Sequence, residues 1–117
     1  MKARLKYLPY AIFSASIAMT TTAQADVIFS EYIEGSSNNK ALELMNRGEL
    51  AVDLSSYTIE LYPNGSVSAN NTLALSGTLG SADSYVIANS SATDDILNVA
   101  DITSSVTFFN GNDVLLL

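Results

Sequence analysis

Val27-Ile28-Phe29-Ser30-Glu31-Tyr32-Ile33-Glu34, then Gly35-Ser36-Ser37-Asn38-Asn39, then Lys40-Ala41-Leu42-Glu43-Leu44-Met45-Asn46: two runs rich in β-branched, aromatic and aliphatic residues flank a cluster of turn formers. Branched and aromatic side chains suit the pleated surface of a strand, whereas Gly, Ser and Asn interrupt it, so the stretch reads as a β-hairpin. Successive strand side chains point to opposite sides, which puts Leu42 and Leu44 on one face and Ala41, Glu43 and Met45 on the other. Tyr57-Thr58-Ile59-Glu60-Leu61-Tyr62 repeats the alternation with Tyr57, Ile59 and Leu61 inward, and predicts a third strand. In the first run, strict alternation sets Glu31 on the face of Val27, Phe29 and Ile33. That predicts a semi-buried carboxylate satisfied by Lys40 or by loop amides.

Outward from this sheet, Asn46-Arg47-Gly48-Glu49 reads as a polar loop, and residues 50–54 as a small edge strand interrupted by Asp53. Pro63-Asn64-Gly65-Ser66 is a strong turn signal, because Gly tolerates positive φ and Pro pre-sets its own. Thr72-Leu73-Ala74-Leu75 predicts a strand, residues 77–82 a turn, and Ser84-Tyr85-Val86-Ile87-Ala88, apolar on both faces, a central strand. Ile96-Leu97-Asn98-Val99-Ala100-Asp101 fits a short helix, with Asp94 or Asp95 to cap it, as well as it fits a strand. Val106-Thr107-Phe108-Phe109 and Val114-Leu115-Leu116-Leu117 flank Asn110-Gly111-Asn112-Asp113 and predict a hairpin. Six to eight short strands separated by turns, with no sustained helical period, indicate an all-β sandwich.

The wording from Phe29 through Gly35-Ser36-Ser37-Asn38-Asn39 to Leu44, followed by Val52-Asp53-Leu54-Ser55-Ser56-Tyr57, resembles a bacterial lamin-tail domain. Gly77-Thr78-Leu79, Tyr85-Val86-Ile87-Ala88-Asn89, Ala100-Asp101 and Phe109-Asn110-Gly111-Asn112-Asp113 resemble the same module in the same order. The resemblance implies an immunoglobulin-like β-sandwich over residues 26–117. It is similar in particular to the copy at the N-terminus of large secreted endonucleases and phosphatase-like proteins of Gram-negative bacteria. In related domains the strand matching Val114-Leu115-Leu116-Leu117 is followed by a further turn and strand. The resemblance therefore implies that residues 26–117 lack their last strand or strands. Such a domain is expected to be marginally stable, and to melt more cooperatively when extended.

The first residues stand apart. Lys2, Arg4 and Lys6 precede an apolar run from Tyr7 to Met19, and Ala23-Gln24-Ala25 fits a small-x-small cleavage site, so residues 1–25 read as a signal peptide. The run is too short and too diluted by Ser and Pro for the roughly 20 apolar residues of a spanning helix. Cleavage after Ala25 leaves one domain's length of chain, secreted or periplasmic, with no membrane attachment. Without Lys2, Arg4 and Lys6 the formal charge moves from −7 to −10, and Lys40 and Arg47 are the remaining cations. There is no Cys, so the disulfides common in small exported domains are excluded and packing alone must hold the fold.

There is also no His. A Ser-His-Asp or Cys-His nucleophile, a histidine-bound zinc and a histidine general base are all excluded from this chain. Nothing catalytic carries over from the nucleases, whose activity resides in a separate downstream domain, and no cofactor is expected. Glu31, Glu34 and Glu43 could approach one another across the first hairpin, yet acids on exposed strand positions more simply keep a β-domain soluble and blunt its edges. Asp94-Asp95 and Asn110-Gly111-Asn112-Asp113 resemble fragments of calcium loops, making Asp94, Asp95, Asn110, Asn112 and Asp113 the candidate metal ligands. Neither has the spacing of an EF-hand, and loop chemistry accounts for both. Asn64-Gly65-Ser66, Asn70-Asn71-Thr72 and Asn89-Ser90-Ser91 match the N-glycosylation acceptor, a match that a bacterial resemblance makes accidental. Direct nucleic-acid binding needs clustered Lys and Arg, which residues 26–117 lack. Tyr32, Tyr57, Tyr62 and Tyr85 could form a stacking surface, but their alternation favours core or half-core positions.

These readings converge on a non-catalytic, secreted lamin-tail accessory module at the N-terminus of an extracellular nuclease, partnered by the nuclease domain or a cell-surface component. The alternatives are a nuclease fragment without independent function and a stand-alone surface- or carbohydrate-binding protein. N-terminal sequencing of the exported protein is expected to begin at Asp26; membrane-bound protein that retains Met1 would contradict the signal-peptide reading.

Overall fold

The alternating runs become strands in the computed structural model, which describes residues 26–117. β1 (Val27–Glu34) and β2 (Lys40–Asn46) pair antiparallel across the predicted turn. The turn is closed by the Gly35 N–H donating to the Asn39 carbonyl at 2.7 Å. A Cβ on residue 35 would lie 2.8 Å from that oxygen, so the close approach requires glycine. β3 (Val52–Asp53) leads into a 3-10 turn (Leu54–Ser56), and β4 (Thr58–Tyr62) follows. β5 (Asn71–Ala74), β6 (Thr78–Leu79) and β7 (Ser84–Ala88) come next, then the one-turn helix α1 (Asp94–Leu97), β8 (Ile102–Thr103) and β9 (Val114–Leu116).

The strands assemble as β1-β2-β7-β8, β5-β4-β9 and the small pair β3-β6. All pairings are antiparallel except β7 with β8, which run parallel through the connection holding α1. The architecture is an all-β, immunoglobulin-like sandwich. β7 occupies the central place its apolar composition predicts, between β2 and β8, with Ile87 and Ala88 fully buried. Leu42, Leu44 and Ile87 from one sheet meet Ile59 and Leu61 from the other, and Val52, Leu54, Leu75 and Leu79 fill the end near β3 and β6. Burying each such side chain contributes roughly 1.5–3 kcal/mol, which makes this cluster the main source of stability in a domain without disulfides.

Four expectations require correction. Residues 106–109 do not form a hairpin with residues 114–117: Ser105–Thr107 is a 3-10 turn, and β9 pairs with β4 instead. The Ser104 hydroxyl accepts from the Val106 N–H and the Thr107 hydroxyl donates to the Ser104 carbonyl, winding the segment inward so that Val106 and Phe109 plug the core. A plug consumes the apolar run that a strand would also have used. Residues 77–82 are more than a turn, since Thr78 and Leu79 make the β6 pairing. The cap expected at Asp94 or Asp95 falls on Thr93, with both aspartates in the first turn of α1; of residues 96–101, for which helix and strand fitted equally, 96 and 97 are helical and none is in a strand.

Asn46 is the fourth correction. It continues the inward face of Leu42 and Leu44, and it is completely buried rather than part of a polar loop. Its side-chain amide donates to the carbonyls of Leu50 (2.7 Å), Leu79 (3.1 Å) and Gly80 (3.2 Å), while its Oδ1 accepts from the Gly48 N–H at 2.9 Å. Its main chain bonds Ala82 and Asp83. Stranding a buried polar group costs about 1–3 kcal/mol, so Asn46→Leu, which strands several, is expected to lower the unfolding free energy by about 3 kcal/mol or more. Urea denaturation would show this as a lower midpoint at unchanged slope; an unmoved midpoint would mean that these groups find other partners.

Candidate functional site

A β-bulge decides which residues of β1 face where. The pairing runs Val27 with Asn46, Ile28 with Met45 and Phe29 with Leu44, then skips Ser30 and resumes with Glu31 opposite Glu43 and Tyr32 opposite Leu42. The bulge turns Glu31 and Ile33 onto the outer face with Ala41 and Glu43, and brings Tyr32 and Glu34 to the inner side. Glu31 is therefore exposed, not semi-buried against Lys40 as strict alternation predicts.

On the outer face an open groove of about 290 Å³ runs over β1, β2 and β7 and beneath α1. Ile33, Ala41, Val86, Ile96 and Val99 make its apolar surface, and Glu31, Glu43 and Asp95 also line it. Ile33 and Val99 are exposed, Val99 to 65%. The Ser30 hydroxyl holds one Glu43 carboxylate oxygen at 2.6 Å. Glu31 and Glu43 stand directly opposite in a cross-strand pair, an arrangement that repels.

A second groove, of about 420 Å³, lies on the inner side where β1 and β9 approach, lined by Phe29, Tyr32, Glu34, Leu42, Asp113 and Leu115 among others. Here the half-exposed Tyr32 ring stacks on buried Phe109, with centroids 4.4 Å apart. The Lys40 ammonium lies 5.6 Å from the Phe109 ring centre and donates to the Phe109 carbonyl and to Asn110 Oδ1. The Tyr32 hydroxyl donates to Glu34 at 2.8 Å. Of the tyrosines named from sequence, Tyr57, Tyr62 and Tyr85 are half-buried, and Tyr32 is the more open.

The candidate cation ligands occupy two separate places. Asp94 and Asp95 are exposed in the first turn of α1. Asn110, Asn112 and Asp113 share the loop before β9, where the Asp113 carboxylate accepts from the Asn64 and Asn110 N–H groups, each at 2.8 Å. Those bonds tie this loop to the Asn64-Gly65 turn, and Asn110 Oδ1 is taken by Lys40. Among the described residues no group of three or more His, Cys, Asp or Glu is placed to hold a metal ion. Other carboxylates are also structural. Asp53 accepts from the Ser55 N–H, and hydrogen bonding by Ser55 holds its carboxyl below the usual range. Asp101 accepts from the Val86 N–H at 2.7 Å.

With this geometry in view, the chain's family is clear. A sequence model described as Lamin Tail Domain matches residues 20–117, and the chain belongs to that family. No curated protein and no solved structure matches it.

Desolvation first, and then the hydrogen bond to Glu34, pushes the Tyr32 hydroxyl well above its ordinary value. Glu60 does the same to Tyr62 through a 2.6 Å hydrogen bond, and burial followed by the Asp101 charge raises Tyr85. A raised folded-state value means that these phenols contribute stability below the ordinary tyrosine value of about 10, and that this is lost as pH rises through the raised values. Tyr32→Phe is expected to flatten part of that alkaline decline, measured as urea midpoints between about pH 8 and about pH 11. An identical decline in the variant would exclude Tyr32 as a contributor.

Proposed function

We propose that this lamin tail domain is a non-catalytic binding module of an exported protein, set in front of an extracellular nuclease domain. The observation that carries the first part is the division of labour among its polar groups. Among the described residues Asp53, Asp101 and Asp113 spend oxygens on backbone N–H groups, and the chain has no His or Cys to serve as general base or thiol nucleophile. Among the described residues the sandwich offers open grooves with largely apolar walls, one on the outer face and one on the inner side. Export is supported by the basic start, the apolar run and Ala23-Gln24-Ala25, all outside the described residues. The nuclease context is supported by the wording of Phe29 to Leu44 and of the later matching stretches. The module's partner is then the downstream domain or a cell-surface component.

The purified chain, supplied with magnesium, manganese or calcium, is expected neither to cut plasmid DNA nor to retard it on a gel, because residues 26–117 carry a formal charge of −10. Metal-dependent cleavage that disappears on substituting Glu31 or Glu43 would overturn this reading.

A further inference from the structure

We propose that the outer groove over β1, β2 and β7 docks a polypeptide segment of a partner protein in which lysine or arginine alternates with apolar residues. This deepens the module reading above and rests on it. Three features of the groove select this occupant together.

The first is frustrated charge. Glu31 and Glu43 face each other directly across the β1–β2 pair, and Asp95 joins them from α1. Like charges in that position destabilise a sheet. The cations within residues 26–117 do not relieve them: Lys40 points to the inner side, bonded to the Phe109 carbonyl and Asn110, and Arg47 follows the far end of β2. Arg47 lies four positions beyond Glu43, roughly 13 Å at about 3.3 Å per residue. A cation arriving from outside removes the repulsion, and the bulge maintains that repulsion by turning Glu31 outward.

The second feature is the floor. A metal ion has no use for the exposed aliphatic surface of Ile33 and Val99, whereas a lysine or arginine lays its methylene stem on such surface and extends its charged head to a carboxylate. The third is size. The groove of about 290 Å³ is shallow and open, as suits side chains delivered by an extended backbone. A second copy of residues 26–117 does not supply the segment, because neither Lys40 nor Arg47 is flanked by apolar residues on both sides.

The test uses the full chain with its own alternating cations neutralised (K2Q/R4Q/K6Q), isotope-labelled, titrated with a capped seven-residue peptide alternating lysine with valine or leucine. Amide shifts are expected to cluster at Ile33, Ala41, Val86 and Val99, with binding that weakens as salt rises. E31Q/E43Q is expected to weaken binding at least about tenfold, the loss of two charge-assisted contacts, while the fold gains or keeps its stability because a repulsive pair is gone. V99S is expected to weaken it severalfold, and E60Q, on the outer face of the other sheet, to leave it unchanged. Equal weakening by E60Q, or shifts spread over the surface, would reduce the effect to overall charge and overturn the proposal. So would spermine or calcium binding as tightly as the peptide with the same dependence on Glu31 and Glu43, or a dimer that E31Q/E43Q dissolves. Peptide binding that survives E31Q/E43Q overturns the groove and leaves the module reading standing, whereas DNA cleavage by the chain overturns the module reading itself.

Discussion

The buried amide of Asn46 is the contact on which the end of the sandwich depends. Two amide hydrogens and one oxygen, placed where no water reaches, collect the backbone of four segments: the loop at Gly48 and Leu50, the end of β6 at Leu79, the bend at Gly80 and β2 itself. The β3–β6 pair has only two residue pairings, too few to persist alone. It is held because Asn46 fixes the carbonyls on either side, and because Val52, Leu54 and Leu79 close over the core from there. A buried polar side chain contributes in this way only when fully satisfied, and Asn46 is.

Much of the fold was legible because alternation and burial say the same thing in β2, β4 and β7. Leu42, Leu44, Ile59 and Leu61 lie inward as their spacing requires, and the turn chemistry at Asn64 and Gly65 appears as positive φ at both positions. Where the reading failed, two physical solutions shared one pattern. Val106-Thr107-Phe108-Phe109 has the composition of a strand, but Ser104 and Thr107 offer local hydrogen bonds that wind it into a plug. Asn46 was missed because Asn is commonly a loop residue; its place on the inward face of Leu42 and Leu44 was the available signal.

The candidate site was less legible, and the reason is a single skipped residue. Hydrophobic alternation along β1 gives no sign of the bulge at Ser30, since Phe29, Tyr32 and Ile33 are apolar on either side of it. Yet the bulge alone determines that Glu31 joins Glu43 outside while Tyr32 reaches Phe109 inside. The acids were visible as a set from sequence, as were the cation-like loops. What sequence could not show is that Asp113 and Asn110 are consumed in tying two loops together, whereas Glu31 is left facing solvent.

The pairing of β9 with β4 also sets an order of events in folding. β1 with β2, and β4 with β5, are joined by short connections and can pair before the long-range contacts form. The contacts of Phe109 with Lys40, 69 positions earlier, and of Asp113 with Asn64, 49 positions earlier, close much longer loops. Until they form the inner faces of both sheets lie open, and the slow loop closures come last. The sandwich therefore closes late in folding, when β9 and the Phe109 plug bring the faces carrying Leu42, Leu61 and Ile87 together.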